Sequence, residues 1–259
     1  DTDPFNKWEA GRALAKDVLV SMITDGASPG PDWLSALTRV ARDDTLDPAF
    51  RALALWLPSD EDLAQTLVDR GDVPDPDAIH ATRRSARQTI ARHLAPVLAQ
   101  LVETMAETGP FTPGAKSAGR RDLRNTAISY LSLIDDGASA MRLFDQANNM
   151  TDESEGLAYL LDIGKGDDAL RRFAARWSGN ANVMDKWFAL QIGMARPDQA
   201  VAVASRLVTH ALFDWKNPNR FRSVIGSVSG NHAGFHHASG AGYRFVADWL
   251  IRLDPLNPQ

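Results

Sequence analysis

Apolar and small residues recur at steps of three and four from one end of the sequence to the other, and no run alternates as a strand does. In the first segment Phe5, Trp8, Gly11, Ala15, Val18 and Met22 fall on one helical stripe, with mostly polar residues opposite. The pattern returns near residues 32 to 43, 47 to 56, 60 to 70, 77 to 107, 119 to 134, 137 to 148, 153 to 163, 166 to 178 and 183 to 194. Three further segments lie near 197 to 210, 218 to 229 and 241 to 254. Between them "DGASPGP", "DVPDPD", "TGPFTPGAKSAG" and "DDGAS" combine glycine, proline and capping residues, which favour turns. The expectation is an all-α fold: stacked antiparallel helix pairs forming an α-solenoid, an ARM/HEAT-like superhelix, over residues 1–259 as a single helical-repeat domain. No strict sequence repeat is visible, so the repeat is structural.

The chain's 259 residues carry a formal net charge of -5, against the basic excess that a phosphate-binding surface requires, so no nucleic-acid partner is expected. The arginines of "TRRSARQTIARH" and "GRRDLRN" read as solvated helix faces. Zero cysteines exclude disulfides and thiolate metal ligands. No apolar run approaches a membrane span, and cytoplasm is the default location. The first residues lack an initiator Met and a signal sequence, and both ends read as cut from a longer polypeptide.

Catalytic constellations fail one by one. In "DIGKGDDA" Gly164, Gly166 and Ala169 match the spacing of a dinucleotide loop, but the run follows a helix and presents Asp167 and Asp168 where phosphates would sit. The acidic pairs Asp60 and Asp62, Asp135 and Asp136, and Asp152 and Glu153 all sit at turns or helix starts, where carboxylates stabilise exposed amides. His232 and His236 are four apart with His237 beside them, yet a helical zinc peptidase needs a glutamate directly after the first histidine, and here Ala233 follows. Residues 230 to 243 therefore read as a glycine-rich loop with Phe235 inserted into the core and the histidines bonded to nearby backbone. No catalytic residue, metal ligand or cofactor site is expected in this chain.

Several stretches together resemble the C-terminal portion of bacterial aminopeptidase N, the zinc metallo-aminopeptidase family of the gluzincin type. They are "DTDPFNKWEAG", "NNMTD", "NVMDKWFALQ", "NPNRFRSVIG" and "FHHASGAGYRF", and the resemblance runs from residue 1 to residue 259. It implies a catalytic zinc domain upstream that carries HExxH and is absent here, with zinc a cofactor of the parent enzyme alone. It also implies that this chain packs against that domain of the same polypeptide as a lid, restricts peptide substrates to an enclosed chamber, and cleaves nothing by itself. Only His236 belongs to the shared pattern, which further weakens a metal triad. The family continues with helices beyond the asparagine-proline-glutamine, so an apolar face should be left exposed here, favouring self-association.

In "KNPNRFRSVIGSVSG" Asn217 can cap a helix starting at Pro218, with Phe221, Val224, Ile225 and Val228 as its apolar face. Beside it Asn219, Arg222, Gly226 and Ser229 form a stripe of small residues around one guanidinium. By the resemblance Arg222 lines the substrate cavity, as does Gln259, and Asn219 shares the stripe. Val183, Trp187, Leu190 and Met194, with Phe188 and Gln191 adjacent, read as packing. The alternative function is an independent helical-repeat scaffold binding protein partners on a concave face.

Overall fold

The computed structural model describes residues 3–256. It is 72% helical, with no strand among the described residues, so the all-α expectation holds. The chain packs as two compact units that divide after Gly156.

The first unit holds α1 (Pro4–Thr24), α2 (Pro31–Arg42), α3 (Pro48–Leu55), α4 (Asp60–Asp69), α5 (Pro76–Thr104), α6 (Ala115–Leu131) and α7 (Ala138–Gln146), and the start of α8 (Met150–Asp162). Aspartate followed by proline starts three of these helices. Asp47 accepts from the Ala49 amide at 2.8 Å and Asp75 from the Asp77 amide at 2.9 Å, while proline supplies a first-turn residue with no N–H to satisfy. Ser59 and Asp62 close a capping box at α4. α5 is the central element, packed on α1, α2, α4 and α6. It runs through Pro96, whose missing N–H deprives Arg92 of a helix partner, and the buried Leu94, Val97, Leu98 and Leu101 around it hold the helix in place. Those side chains meet Leu123, Ala127 and Tyr130 of α6 and Trp33, Ala41, Ala52 and Leu55 of α2 and α3. The Tyr130 hydroxyl donates to the Leu55 carbonyl, and burial pushes its pKa up to about 12.

α7 and α8 approach closely at Gly156, where an added Cβ would stand 2.8 Å from the Phe144 amide nitrogen. Backbone cannot yield as a flexible side chain can. Gly156→Ala is therefore expected to cost about 1–2 kcal/mol through overpacking, read as a lowered thermal midpoint. Gly226→Ala is the control: its Cβ would meet Arg222 Cβ at an ordinary 3.7 Å, and it should leave the midpoint almost unchanged.

The second unit continues α8 and adds α9 (Asp167–Trp177), α10 (Ala181–Gly193), α11 (Ala200–Leu207), α12 (Pro218–Phe221), a π turn (Arg222–Gly226), α13 (Ser227–Gly230), α14 (His232–Phe235) and α15 (Ala241–Leu253). α10 is the hub, touching α9, α11, the π turn and α13. Its deepest residues are Met184, Phe188 and Ile192, so the buried face is rotated from the expected line through Leu190 and Met194, which lie half-buried and exposed. The tryptophan explains the rotation: Trp187 Nε1 donates to the Leu170 carbonyl at 3.1 Å, which holds the ring at the core's edge and leaves the centre to Phe188. The turn at Gly164, with φ of 74°, joins two helices as expected. α15 leaves Leu250 and Ile251 exposed, the latter at 72%.

Candidate functional site

The segment from Asn217 to Gly230 forms as its sequence dictates up to its middle. Asn217 accepts from the amides of Asn219 and Arg220 at 3.0 and 3.3 Å, Pro218 opens α12, and Phe221, Val224, Ile225 and Val228 are buried. A π turn then interrupts the α-helix, a departure from regular geometry that recurs at functional sites. Asn219, Arg222, Gly226 and Ser229 all face outward. The Arg222 guanidinium donates to Asn219 Oδ1 at a long 3.4 Å and forms no ion pair among the described residues, which leaves most of its donors unused by them. Gln259 lies outside the described residues.

The other arginine of the motif has the opposite character. Arg220 is 7% exposed, its Nε donates to Asp185 Oδ1 at 2.5 Å, and its terminal nitrogens donate to the carbonyls of Leu212 and Ala181. Its guanidinium also lies 4.7 Å from the Phe188 ring centre. This anchor was available in the spacing, since Arg220 stands four residues before Val224, at the edge of the apolar face.

Residues 230 to 243 differ from the expected loop. Asn231 donates to the carbonyls of Ile192 and Ala195, both at 2.9 Å, and its Oδ1 accepts from the Gly234 amide, which starts the one-turn α14. Phe235 reaches only the core's edge, its ring 4.8 Å from Tyr243. The histidines bond mainly to side chains: His236 Nδ1 lies 2.6 Å from the Tyr243 hydroxyl and His237 Nδ1 2.9 Å from Ser239 Oγ. Among the described residues no three His, Asp or Glu side chains converge on a point that could hold a metal ion.

Two of the arginines read as solvated faces prove to be clamps. Arg83 of α5 bonds Asp60 at 2.6 Å, and Arg124 of α6 pairs with Asp152 at 2.6 Å with both side chains largely buried. Asp152 also accepts from Asn125 at 2.9 Å and Asn149 at 2.8 Å. Burial alone would raise its pKa, but the bonds from Asn125 and Arg124, the Arg124 charge and the Asn149 bond outweigh it and hold the carboxyl below the usual range. A depressed folded pKa gives stability that is present above the unfolded value and lost as pH falls through the folded one. Asp152→Asn is expected to cost about 2 kcal/mol at neutral pH by leaving Arg124 without its carboxylate. Chemical denaturation from pH 7 down to pH 2 should show that gap closing below the ordinary carboxylate pKa of about 4.

A cavity of about 530 Å³ lies within the first unit between α1, α2 and α3, walled by Trp8, Trp33 and Trp56, with the Arg12–Asp62 pair at its rim. It contains none of the expected site residues.

The family model described as "Domain of unknown function (DUF3458_C) ARM repeats" matches residues 1–259. The chain belongs to this ARM-repeat family. This family member is 39% identical over 270 residues to aminopeptidase N of Caulobacter vibrioides and 32% identical over 265 residues to that of Haemophilus influenzae. Those alignments cover 100% and 98% of this chain, and they fall in the C-terminal portion of the relatives. The chain spans about 30% of the length of these relatives. Among solved structures, Legionella pneumophila aminopeptidase A in complex with aspartic acid superposes with a TM-score of 0.87 at 27% identity, covering 100% of this ARM-repeat chain and 31% of the other.

Proposed function

We propose that this chain is the C-terminal lid of a zinc aminopeptidase that removes N-terminal amino acids from peptides. It encloses the active site and restricts substrate access, with no catalysis of its own. The observation that carries this reading is the match of the entire chain to the C-terminal portion of aminopeptidases more than three times as long. Residues 1–259 then act as one helical-repeat domain whose partner is the catalytic zinc domain upstream in the same polypeptide. That reading is also favoured over an independent scaffold because the similarity extends along the full chain rather than to isolated repeats.

Zinc does not fit the residues present. No histidine of the sequence is followed by glutamate, as a helical zinc peptidase motif requires, and among the described residues no three His, Asp or Glu side chains converge to hold a metal ion. In this reading the metal, the general base and the substrate-amine anchor belong to the upstream domain. What this chain offers is a surface: Arg222, with Asn219 beside it and Gln259, lines the enclosed chamber and meets the far part of a peptide. No described helix is long and apolar enough to cross a membrane, and a cytoplasmic enzyme is the setting we propose.

Assay of alanine anilide hydrolysis tests the division of labour. The purified chain is expected to be inactive and the longer protein active and chelator-sensitive. Chelator-sensitive hydrolysis by the chain alone would overturn the reading.

A further inference from the structure

A second cavity, of about 260 Å³, opens within the first unit between the end of α5, α6, α7 and the turn into α8. Its lining combines three arginines with an apolar wall that includes Phe111, Ile128 and Leu143. Arg124 is neutralised by Asp152. Arg121 instead stacks over Phe111, 4.7 Å from the ring centre, and Arg142 donates at 3.0 Å to the Ser139 hydroxyl, which in turn donates to the Asp135 carboxylate. Glu107, the other acid of the lining, is drawn toward Arg120 at 3.7 Å and accepts from Ser117 at 2.8 Å. The cavity thus holds two guanidiniums with no direct carboxylate partner among the described residues, in a protein whose net charge is -5.

We propose that this cavity binds a peptide carboxylate, either a C-terminal carboxylate or an Asp or Glu side chain, with the attached apolar portion against Phe111, Ile128 and Leu143. Guanidiniums present paired N–H donors that match a carboxylate, and stacking on an aromatic ring holds Arg121 in place before the ligand arrives. The volume is just below the usual small-ligand range of roughly 300–1,000 Å³, which suits one residue of an extended peptide and not a folded partner. The preference for an anion rests on the cavity alone. The choice of a peptide rests on the aminopeptidase reading.

Calorimetric titration of the whole chain tests this with four probes: N-acetyl-Ala-Ala-Leu as free acid, the same peptide as amide, N-acetyl-Ala-Glu-Leu amide, and inorganic phosphate. Saturable binding of the free acid or of the Glu-containing amide is expected, the first identifying a C-terminal carboxylate and the second a side chain. The neutral amide should bind at least tenfold more weakly, and the double variant Arg121→Gln, Arg142→Gln should weaken the acid roughly ten- to a hundredfold with an unchanged helical spectrum. Equal binding of acid and neutral amide, or equal binding by wild type and the folded double variant, overturns the site. Phosphate binding without peptide binding overturns the peptide assignment. Because no hydrolysis is measured, either failure is separate from failure of the aminopeptidase reading. A double variant that loses its helical spectrum is replaced by Arg142→Gln alone, whose exposed side chain carries little packing, and equal binding by that variant also overturns the site.

Discussion

Replacing Arg220 by Ala is expected to destabilise the chain by about 3–5 kcal/mol, the usual cost of removing one partner of a buried ion pair. Four interactions fail together: the bond to Asp185, the two bonds to the Leu212 and Ala181 carbonyls, and the stacking on Phe188. Asp185, whose side chain is only 20% exposed in the intact chain, is left without its cation, so the loss includes an uncompensated carboxylate. Thermal unfolding followed by circular dichroism should show the midpoint lowered by roughly 10 °C. Arg220→Lys should recover little, because a single ammonium cannot reach a carboxylate and two carbonyls in the guanidinium's fixed geometry. A midpoint within 2–3 °C of the original for Arg220→Ala would show that the buried network is not a stabilising anchor.

Arg222→Ala, two residues further on, is expected to do the reverse. Its guanidinium is exposed and makes one long bond to Asn219, so the isolated chain should keep its helical content and its midpoint. In the longer protein the same change should lower kcat/KM for peptides by roughly ten- to a hundredfold, the worth of one charge-assisted bond to a peptide carbonyl or carboxylate. Small anilides, too short to reach Arg222 on the proposed reading, should be hydrolysed almost as before. Equal slowing of peptides and anilides, or unfolding of the chain, would make Arg222 structural.

The contrast between these arginines shows where sequence reasoning reaches and where it stops. The helices were legible because their signals are local: the three-and-four spacing of α1, the Asp47-Pro48 and Asp75-Pro76 starts and the Gly164 turn each depend on neighbours within a few residues. The outward stripe of Asn219, Arg222, Gly226 and Ser229 was legible for the same reason. The π turn was not, because it depends on how Phe221, Val224, Ile225 and Val228 are accommodated against α10, which no local pattern encodes. The Arg124–Asp152 clamp joins residues 28 positions apart, and the Arg220–Asp185 pair joins residues 35 apart. Nothing in a single sequence marks such partners: Arg124 read as part of a solvated helix face, and for Arg220 the spacing gave only its place at the edge of the apolar face. α14 was missed because Asn231, which caps it at the Gly234 amide, is held in place by donating to the carbonyls of Ile192 and Ala195, 39 and 36 residues away.

The central claim is that the outward face of α12, the π turn and α13 closes over a bound peptide. Determining the structure of the longer protein with a non-hydrolysable peptide analogue in its active site tests this most directly. The account predicts that Arg222 and Asn219 face the enclosed chamber, with the guanidinium bonded to the peptide beyond its first residue. A structure in which that face points to bulk solvent, away from the bound peptide, would contradict it.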